Sequence, residues 1–133
     1  MHKQITYENG TTEWYNSGGK LHRINGPAVE PAIEHDSKYW YISGKSHRIN
    51  GPAIKEAVGS KYWIVNGKYH RLNGPSVEYT DSPSRWCIND KRHRNDGPAV
   101  FYKNGIRAWY INGVTYSEVE YNRIMKTHTS KDS

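Results

Sequence analysis

One motif dominates the sequence: His-Arg, two further residues, then Gly-Pro. It occurs four times, as KLHRINGPAVEP, KSHRINGPAIKE, KYHRLNGPSVEY and KRHRNDGPAVFY, beginning at Lys20, Lys45, Lys68 and Lys91. The motif histidines are 25, 23 and 23 residues apart, and the tryptophans recur with nearly the same period. A fixed period of this length indicates a row of similar structural units. The chain is therefore predicted to fold as an array of repeats.

We expect a single domain over residues 1–133 that contains four full units and one partial unit. The predicted units span residues 7–30, 31–56, 57–79, 80–102 and 103–116. Each contacts mainly its neighbours, as in other repeat proteins.

Each unit contains a predicted β-hairpin. In YWIVNGKYHR, β-forming residues flank Asn66-Gly67, the dipeptide most typical of two-residue hairpin turns. Such a turn pairs the following residues: Val65 with Lys68, Ile64 with Tyr69, Trp63 with His70, and Tyr62 with Arg71. Because side chains alternate between the two faces of a strand, each motif histidine is predicted to lie beside its tryptophan. Each motif arginine is predicted to lie on the opposite face.

The remaining elements follow from the turn and cap residues. At the Gly-Pro corner we expect glycine to adopt an unusual φ and proline to open the next strand. Ser117 and Glu120 form a capping-box pattern, and an apolar face follows at Tyr121, Ile124, Met125 and His128. The predicted fold is all-β, an elongated single-layer antiparallel β-meander closed by a short helix at about residues 118–127.

Composition limits the core and the partners. Only 35% of residues are apolar, but 11 Tyr and 5 Trp allow a thin core built from rings. The net charge of +6 suits anionic partners such as nucleic acid or acidic protein surfaces. One cysteine, no signal-peptide stretch and no membrane span predict a cytoplasmic protein.

The period, the W-x-x-N-G-K-x-H core and the following glycine resemble the MORN repeat. The variant with H-R-x-x-G-P-A, found in proteins of phages and giant DNA viruses, is more similar still, over about residues 7–116. This resemblance implies an extended antiparallel sheet, a binding or scaffolding role, and a host-takeover or counter-defence setting in the host cytoplasm. The usual MORN pattern has glycine after the histidine, where this chain has arginine.

The motif histidines and arginines do not predict catalysis or metal binding. Equivalent residues in successive two-stranded units lie about 9–10 Å apart, too far for one Zn²⁺ to hold two of them. A catalytic set is normally one asymmetric constellation, whereas every conspicuous residue here is repeated. We therefore predict no catalytic residue, no metal and no cofactor.

Structural roles are expected for the rings of the repeat, with each imidazole packed on its tryptophan and donating to a carbonyl at the Gly-Pro corner. These residues are Trp14, Trp40, Trp63, Trp86, Trp109, His22, His47, His70 and His93. For the arginines two alternatives stay open: they satisfy carbonyls at the turn or pair with a neighbouring glutamate, or they form a ladder that binds a partner. The predicted partner-binding residues are Arg23, Arg48, Arg71, Arg94, Lys20, Lys45, Lys68, Lys91, Tyr41 and Tyr69.

Three functions are compatible with these features. The favoured one is a non-catalytic binding protein that engages a host protein or ribonucleoprotein through a basic and aromatic face. The second is capture of nucleic acid or a nucleotide signal, and the third is an enzyme that acts on a phosphorylated metabolite. A sheet with aromatic faces is also compatible with a homodimer.

Overall fold

The fold was analysed in a computed structural model that describes residues 2–81 and 83–132. It is mostly antiparallel β-structure followed by one helix, which confirms the predicted fold class. The elements in chain order are β1 (Lys3–Thr6), β2 (Thr12–Tyr15), β3 (Val29–Glu30), β4 (Lys38–Tyr39), β5 (Tyr41–Ile42), β6 (Lys45–Ser46), β7 (Ile54–Lys55), β8 (Lys61–Tyr62), β9 (Ile64–Val65), β10 (Lys68–Tyr69), β11 (Val77–Glu78), β12 (Cys87–Ile88), β13 (Lys91–Arg92), β14 (Val100–Phe101), β15 (Arg107–Ile111), β16 (Val114–Tyr116) and α1 (Glu118–Asp132).

The strands form two hydrogen-bonded rows, where the sequence predicted one continuous meander. The first row is a seven-stranded antiparallel sheet in the order β1-β2-β3-β4-β7-β8-β11. Isolated bridges from Arg85 to Val77 and to Val100 continue this row to β14 and β15. The second row consists of the hairpins β5–β6, β9–β10, β12–β13 and β15–β16.

Neighbouring hairpins of the second row are joined through their backbones. The Gly67 N–H donates to the Ser46 carbonyl at 2.8 Å, and the Arg48 N–H donates to the Ile64 carbonyl at 3.0 Å. Equivalent bonds recur between the other hairpins, including Gly113 N–H to the Arg92 carbonyl at 2.8 Å. Each hairpin is therefore positioned by the one before it.

The two rows meet at the tryptophans. The Trp63 N–H donates to the Ser76 carbonyl in the first row at 2.7 Å, and the Trp63 carbonyl accepts from the His70 N–H in the hairpin at 3.0 Å. The predicted pairings of Val65 with Lys68 and of Ile64 with Tyr69 are confirmed. The predicted pairing of Tyr62 with Arg71 is wrong, because the chain changes rows at Trp63 and Tyr62 pairs with first-row strands instead.

The hairpin turns have the geometry predicted from their sequences. Asn66 (φ 51°) and Gly67 (φ 79°) both have positive φ, as the type I′ turn of a two-residue hairpin requires. The first unit has a three-residue loop, in which the Asn16 side-chain oxygen accepts from the Gly18 and Lys20 N–H groups. In contrast, no motif glycine that precedes proline has positive φ, so the predicted reason for those glycines is wrong.

The most buried position of each unit directly follows Gly-Pro. Ala28, Ala53, Ser76 and Ala99 are completely shielded from solvent. A larger side chain would be overpacked at this junction of the two rows, so the space available accounts for the small residue in every copy of the motif.

The helix α1 covers the last unit. The Ser117 hydroxyl oxygen accepts from the Glu120 N–H at 3.2 Å, which confirms Ser117 as the N-cap. The helix is longer than the predicted 118–127, and the predicted apolar face holds for Tyr121, which is buried. The side chain of His128 lies outside the described residues. Among residues 2–81 and 83–132, no helix has the length and apolar character needed to cross a membrane.

Candidate functional site

The motif arginine of each full unit lies flat against the motif tryptophan of the same unit. The guanidinium carbon is 3.7 Å from the ring centroid in the Arg71–Trp63 and Arg23–Trp14 pairs. The pairs in the second and fourth units are equivalent, at 4.0 and 3.9 Å. At this distance a guanidinium is attracted by the negative face of the indole ring. The Arg–Trp stack is therefore a repeated element of the fold.

Hydrogen bonds hold the same arginines at the Gly-Pro corner. In all four units the Nη1 group donates to the proline carbonyl, for example from Arg71 to Pro75 at 3.1 Å. Arg71 also pairs with Glu78 at 3.1 Å, and Arg23 pairs with Glu30 at 2.8 Å. All four arginines thus satisfy a carbonyl at the turn, and two of them pair with a glutamate, which are the contacts that the structural alternative predicted.

The arginine also explains the glycine of the motif. A Cβ built on Gly74 would lie 2.7 Å from the guanidinium carbon of Arg71, and one built on Gly51 would lie 2.8 Å from that of Arg48. Cβ atoms essentially never lie this close to another atom, so a larger residue at Gly74 or Gly51 would require the guanidinium to shift. The motif glycine thus lets the arginine side chain approach the backbone closely.

The predicted position of arginine relative to tryptophan is therefore wrong, whereas the predicted cross-strand pairing of Trp63 with His70 agrees with the bond from the His70 N–H to the Trp63 carbonyl. The guanidinium lies over the indole ring, and the motif histidine lines the same groove as its tryptophan. The strand is not regular beyond Trp63, because the chain leaves the hairpin there, and side-chain alternation does not continue across the junction.

Each motif histidine connects its own hairpin to the next one. The Nδ1 atom of His70 accepts from the Asn89 N–H at 3.2 Å, and that of His47 accepts from the Asn66 N–H at 2.9 Å. His22 and His93 make the equivalent bonds to Ser43 and Asn112. The imidazole thus accepts from an N–H of a turn, where we had expected it to donate to a carbonyl at the Gly-Pro corner.

Replacing His70 tests this bridging role. His70→Ala removes the acceptor for the Asn89 N–H and should lower the free energy of unfolding by about 1 kcal/mol. His70→Asn places an amide oxygen near the former Nδ1 position and should recover most of the loss. His70→Gln, whose amide lies near the Nε2 position, should resemble alanine. Urea unfolding of the three variants measures this, and equal stability of the Asn and Gln variants would contradict it.

Arg48 differs from the other three motif arginines in its charge environment. Among the described residues it pairs with no carboxylate, because Lys55 stands where Arg23 and Arg71 have a glutamate partner. Burial lowers the pKa of the Arg48 guanidinium. Arg48 is therefore the motif arginine whose positive charge is least compensated.

Three open grooves lie between successive motif loops. Each groove has two walls, which are the His-Arg loops of two successive units. Its floor is the tryptophan between these loops, together with the aliphatic residue two positions after that tryptophan. Their volumes are about 600, 700 and 610 Å³ from the first to the third. The floors are Trp40 with Ile42, Trp63 with Val65, and Trp86 with Ile88.

The rim of the grooves carries exposed aliphatic side chains that the sequence reasoning missed. Ile24, Ile49 and Leu72, each directly after a motif His-Arg, are 78, 69 and 71% exposed. Ile49 lines both the first and the second groove, and Leu72 lines both the second and the third. The recurrence of an aliphatic residue at this place in three units was the available signal for them.

The other predicted partner-binding residues lie near the hairpin turns. The side chains of Lys20, Lys45, Lys68 and Lys91 are exposed, and the stem of Lys20 lies over Gly44 in the next turn. Tyr69 is 40% exposed and contacts the Tyr62 ring, whereas Tyr41 is partly buried. Trp109 has no motif arginine in its partial unit and pairs through its backbone with Tyr116.

Within the described part of the chain, no group of three or more His, Cys, Asp or Glu residues could hold a metal ion. In comparisons with known proteins, no family model, no curated protein and no solved structure matches this chain. The resemblance to MORN repeats accordingly stays a prediction from the motif.

Proposed function

We propose that this protein is a non-catalytic β-repeat binding protein that engages a host protein or ribonucleoprotein. The observation that carries the proposal is the row of three equivalent grooves with an exposed aliphatic rim. Contiguous exposed apolar side chains with polar neighbours are typical of protein interaction surfaces. Recurrence of the grooves along the row suits an extended partner that contacts several units.

The engagement of the motif residues within the fold supports binding over catalysis. The histidines use Nδ1 to hold the next turn, and the arginines are stacked and hydrogen-bonded. The sequence-based idea that the arginine ladder itself binds the partner is revised accordingly. In the proposal, the aliphatic rim and the exposed lysines make the contacts, and Arg48 supplies positive charge.

The resemblance to repeats of phages and giant DNA viruses adds a biological setting to this proposal. From that resemblance alone, the partner belongs to a host cell and the role is host takeover or counter-defence in its cytoplasm.

Affinity capture tests the proposal directly. The tagged chain and an Ile49→Asp/Leu72→Asp double variant are compared in host-cell lysate with and without nuclease. We expect a protein that is captured by the wild-type chain after nuclease treatment and lost with the double variant. Ile33→Asp, at an exposed position outside the grooves, is the matched control. Equal capture by all three chains would contradict the proposal.

A second candidate is direct binding of nucleic acid or a nucleotide, which the exposed lysines and the net charge of +6 favour. Phosphate binding of this kind weakens steeply with salt. Titration with RNA, DNA and cyclic oligonucleotides at several salt concentrations distinguishes it. Against it, the arginines cover one face of Trp14, Trp40, Trp63 and Trp86, which leaves less ring surface for stacked bases.

A further inference from the structure

The row of grooves has a fourth position, which the chain's own helix fills. The loop from Arg94 to Gly97 corresponds to the first wall of each open groove, and α1 packs on β15, the strand that carries the next tryptophan. The Tyr121 side chain of α1 is only 2% exposed. Its hydroxyl donates to the Arg94 carbonyl and accepts from the Gly97 N–H at 3.3 Å.

The backbone groups that Tyr121 contacts recur in the open grooves. Among the described residues, no hydrogen bond is made by the N–H of Gly26, Gly51 or Gly74, which correspond to Gly97. Each lies three residues after a motif arginine whose carbonyl corresponds to that of Arg94. Gly26 and Gly51 line the first and second grooves, which thus contain a donor and an acceptor like those that bind the phenol hydroxyl at the fourth position, whereas Gly74, in the same place of the third motif, is buried.

The rim residues differ between the open positions and the filled one. Where the helix covers the loop, the residue after His-Arg is Asn95, and its side-chain oxygen contacts His93 Nε2 at 2.7 Å. In the three open positions this residue is Ile24, Ile49 or Leu72, and its side chain is mostly exposed. The open grooves therefore offer apolar surface beside the phenol-binding backbone groups.

The charged residues that line the second groove indicate which charge a bound segment should carry. The second groove is lined by Arg48, Arg71 and His70 and by no acidic residue, and Arg48 has no carboxylate partner among the described residues. The helix that fills the fourth position begins with an acidic turn, Glu118 and Glu120. A partner helix with a similarly acidic first turn would complement the second groove.

We infer that each open groove is a docking site for a tyrosine in a short partner helix that begins with an acidic turn, bound as Tyr121 is bound at the fourth position. This deepens and rests on the proposed binding function. A nucleic-acid occupant fits less well, because it would leave the three aliphatic side chains of the rim uncovered.

The test uses the full ¹⁵N-labelled chain and a synthetic peptide of residues 117–132 from the same sequence. We expect the peptide to shift the indole N–H signals of Trp40, Trp63 and Trp86, which line the grooves, and to leave Trp14 unchanged. A peptide with Tyr121→Phe should bind about tenfold more weakly, because it lacks the hydroxyl that bridges the two backbone groups.

Two variants of the chain show which grooves bind the peptide. Leu72→Asp should abolish the response of Trp63 and Trp86 and spare that of Trp40, since Leu72 lines only the second and third grooves. Ile33→Asp should change nothing. Because both side chains are mostly exposed, both variants should fold.

Several outcomes would overturn the inference. One is a response of Trp109 alone, which would mean that the peptide only exchanges with the chain's own helix. Others are a response to oligonucleotides but not to the peptide, or a dimer of the chain that Leu72→Asp disrupts, which would make a second copy the occupant. Capture of a partner without any peptide binding would refute the inference and leave the proposed function standing. Peptide binding without any captured partner would show that the grooves accept a tyrosine helix but would refute the proposed function, and with it the partner protein.

Discussion

Replacing Tyr121 with alanine is expected to lower the free energy of unfolding by about 3–4 kcal/mol, the usual cost of removing a buried ring. The side chain is 2% exposed and its hydroxyl bridges the Arg94 carbonyl and the Gly97 N–H. Tyr121→Phe keeps the ring and loses only the bridge, so about 1–1.5 kcal/mol is expected. Urea unfolding followed by circular dichroism measures both variants.

Tyr121→Ala also leaves a cavity at the fourth groove position, and ligand binding in that cavity is a control for the role of the Tyr121 ring. Cavities left by removed rings bind small aromatic molecules, so p-cresol should raise the melting temperature of Tyr121→Ala more than that of the wild-type chain. Toluene, which lacks the hydroxyl, should raise the melting temperature of Tyr121→Ala less than p-cresol does. A loss below about 0.5 kcal/mol, which is typical of surface substitutions, would show that Tyr121 does not anchor the helix.

Replacing Arg71 with alanine is expected to cost about 2–3 kcal/mol, because three contacts are lost together. The guanidinium is stacked on Trp63, donates to the Pro75 carbonyl and pairs with Glu78. Arg71→Lys keeps the charge but has no planar group to stack, so it should recover less than half of the loss. Urea unfolding of both variants gives the values.

Arg107→Ala is the matched control for Arg71. Arg107 is exposed and its guanidinium carbon is 5.5 Å from the Phe101 ring. Its loss should cost less than about 1 kcal/mol. If Arg71 and Arg107 proved equally dispensable, the stack would not be part of what holds the unit together.

The local turns of this fold could be predicted from sequence. The positive φ of Asn66 and Gly67, the Val65–Lys68 register and the N-cap at Ser117 depend on residues within a few positions of one another. Short-range geometry of this kind is largely fixed by the preferences of asparagine, glycine and serine.

The arrangement around Trp63 could not be derived from the same reasoning. Tyr62 belongs to the first row and Ile64 to the second, so the chain changes hydrogen-bonding partners at one residue. Alternation rules apply only within a continuous strand. One sequence feature did indicate that the arginine folds back onto its own motif. In every motif the glycine is the third residue after the arginine, and the guanidinium of Arg71 lies against Gly74.

The candidate site was predicted only in part. The sequence indicated a repeated basic and aromatic surface, and the exposed lysines lie on the hairpins as expected. The grooves themselves depend on how Leu72 of one unit lies beside Trp86 of the next. Contacts between units depend on tertiary packing, which the pattern of a single unit does not contain.

The His-Arg motif stabilises each unit by placing arginine on tryptophan, and the proposed binding surface is the row of grooves between the motifs. A double-mutant cycle between Trp63→Leu and Arg71→Ala, measured by urea unfolding, tests this stabilisation most directly. We predict a coupling energy of about 1 kcal/mol or more for this pair. The parallel cycle between Trp63→Leu and His70→Ala should give less than about 0.5 kcal/mol, the limit for independent sites. Coupling of Trp63 to His70 and not to Arg71 would contradict the account.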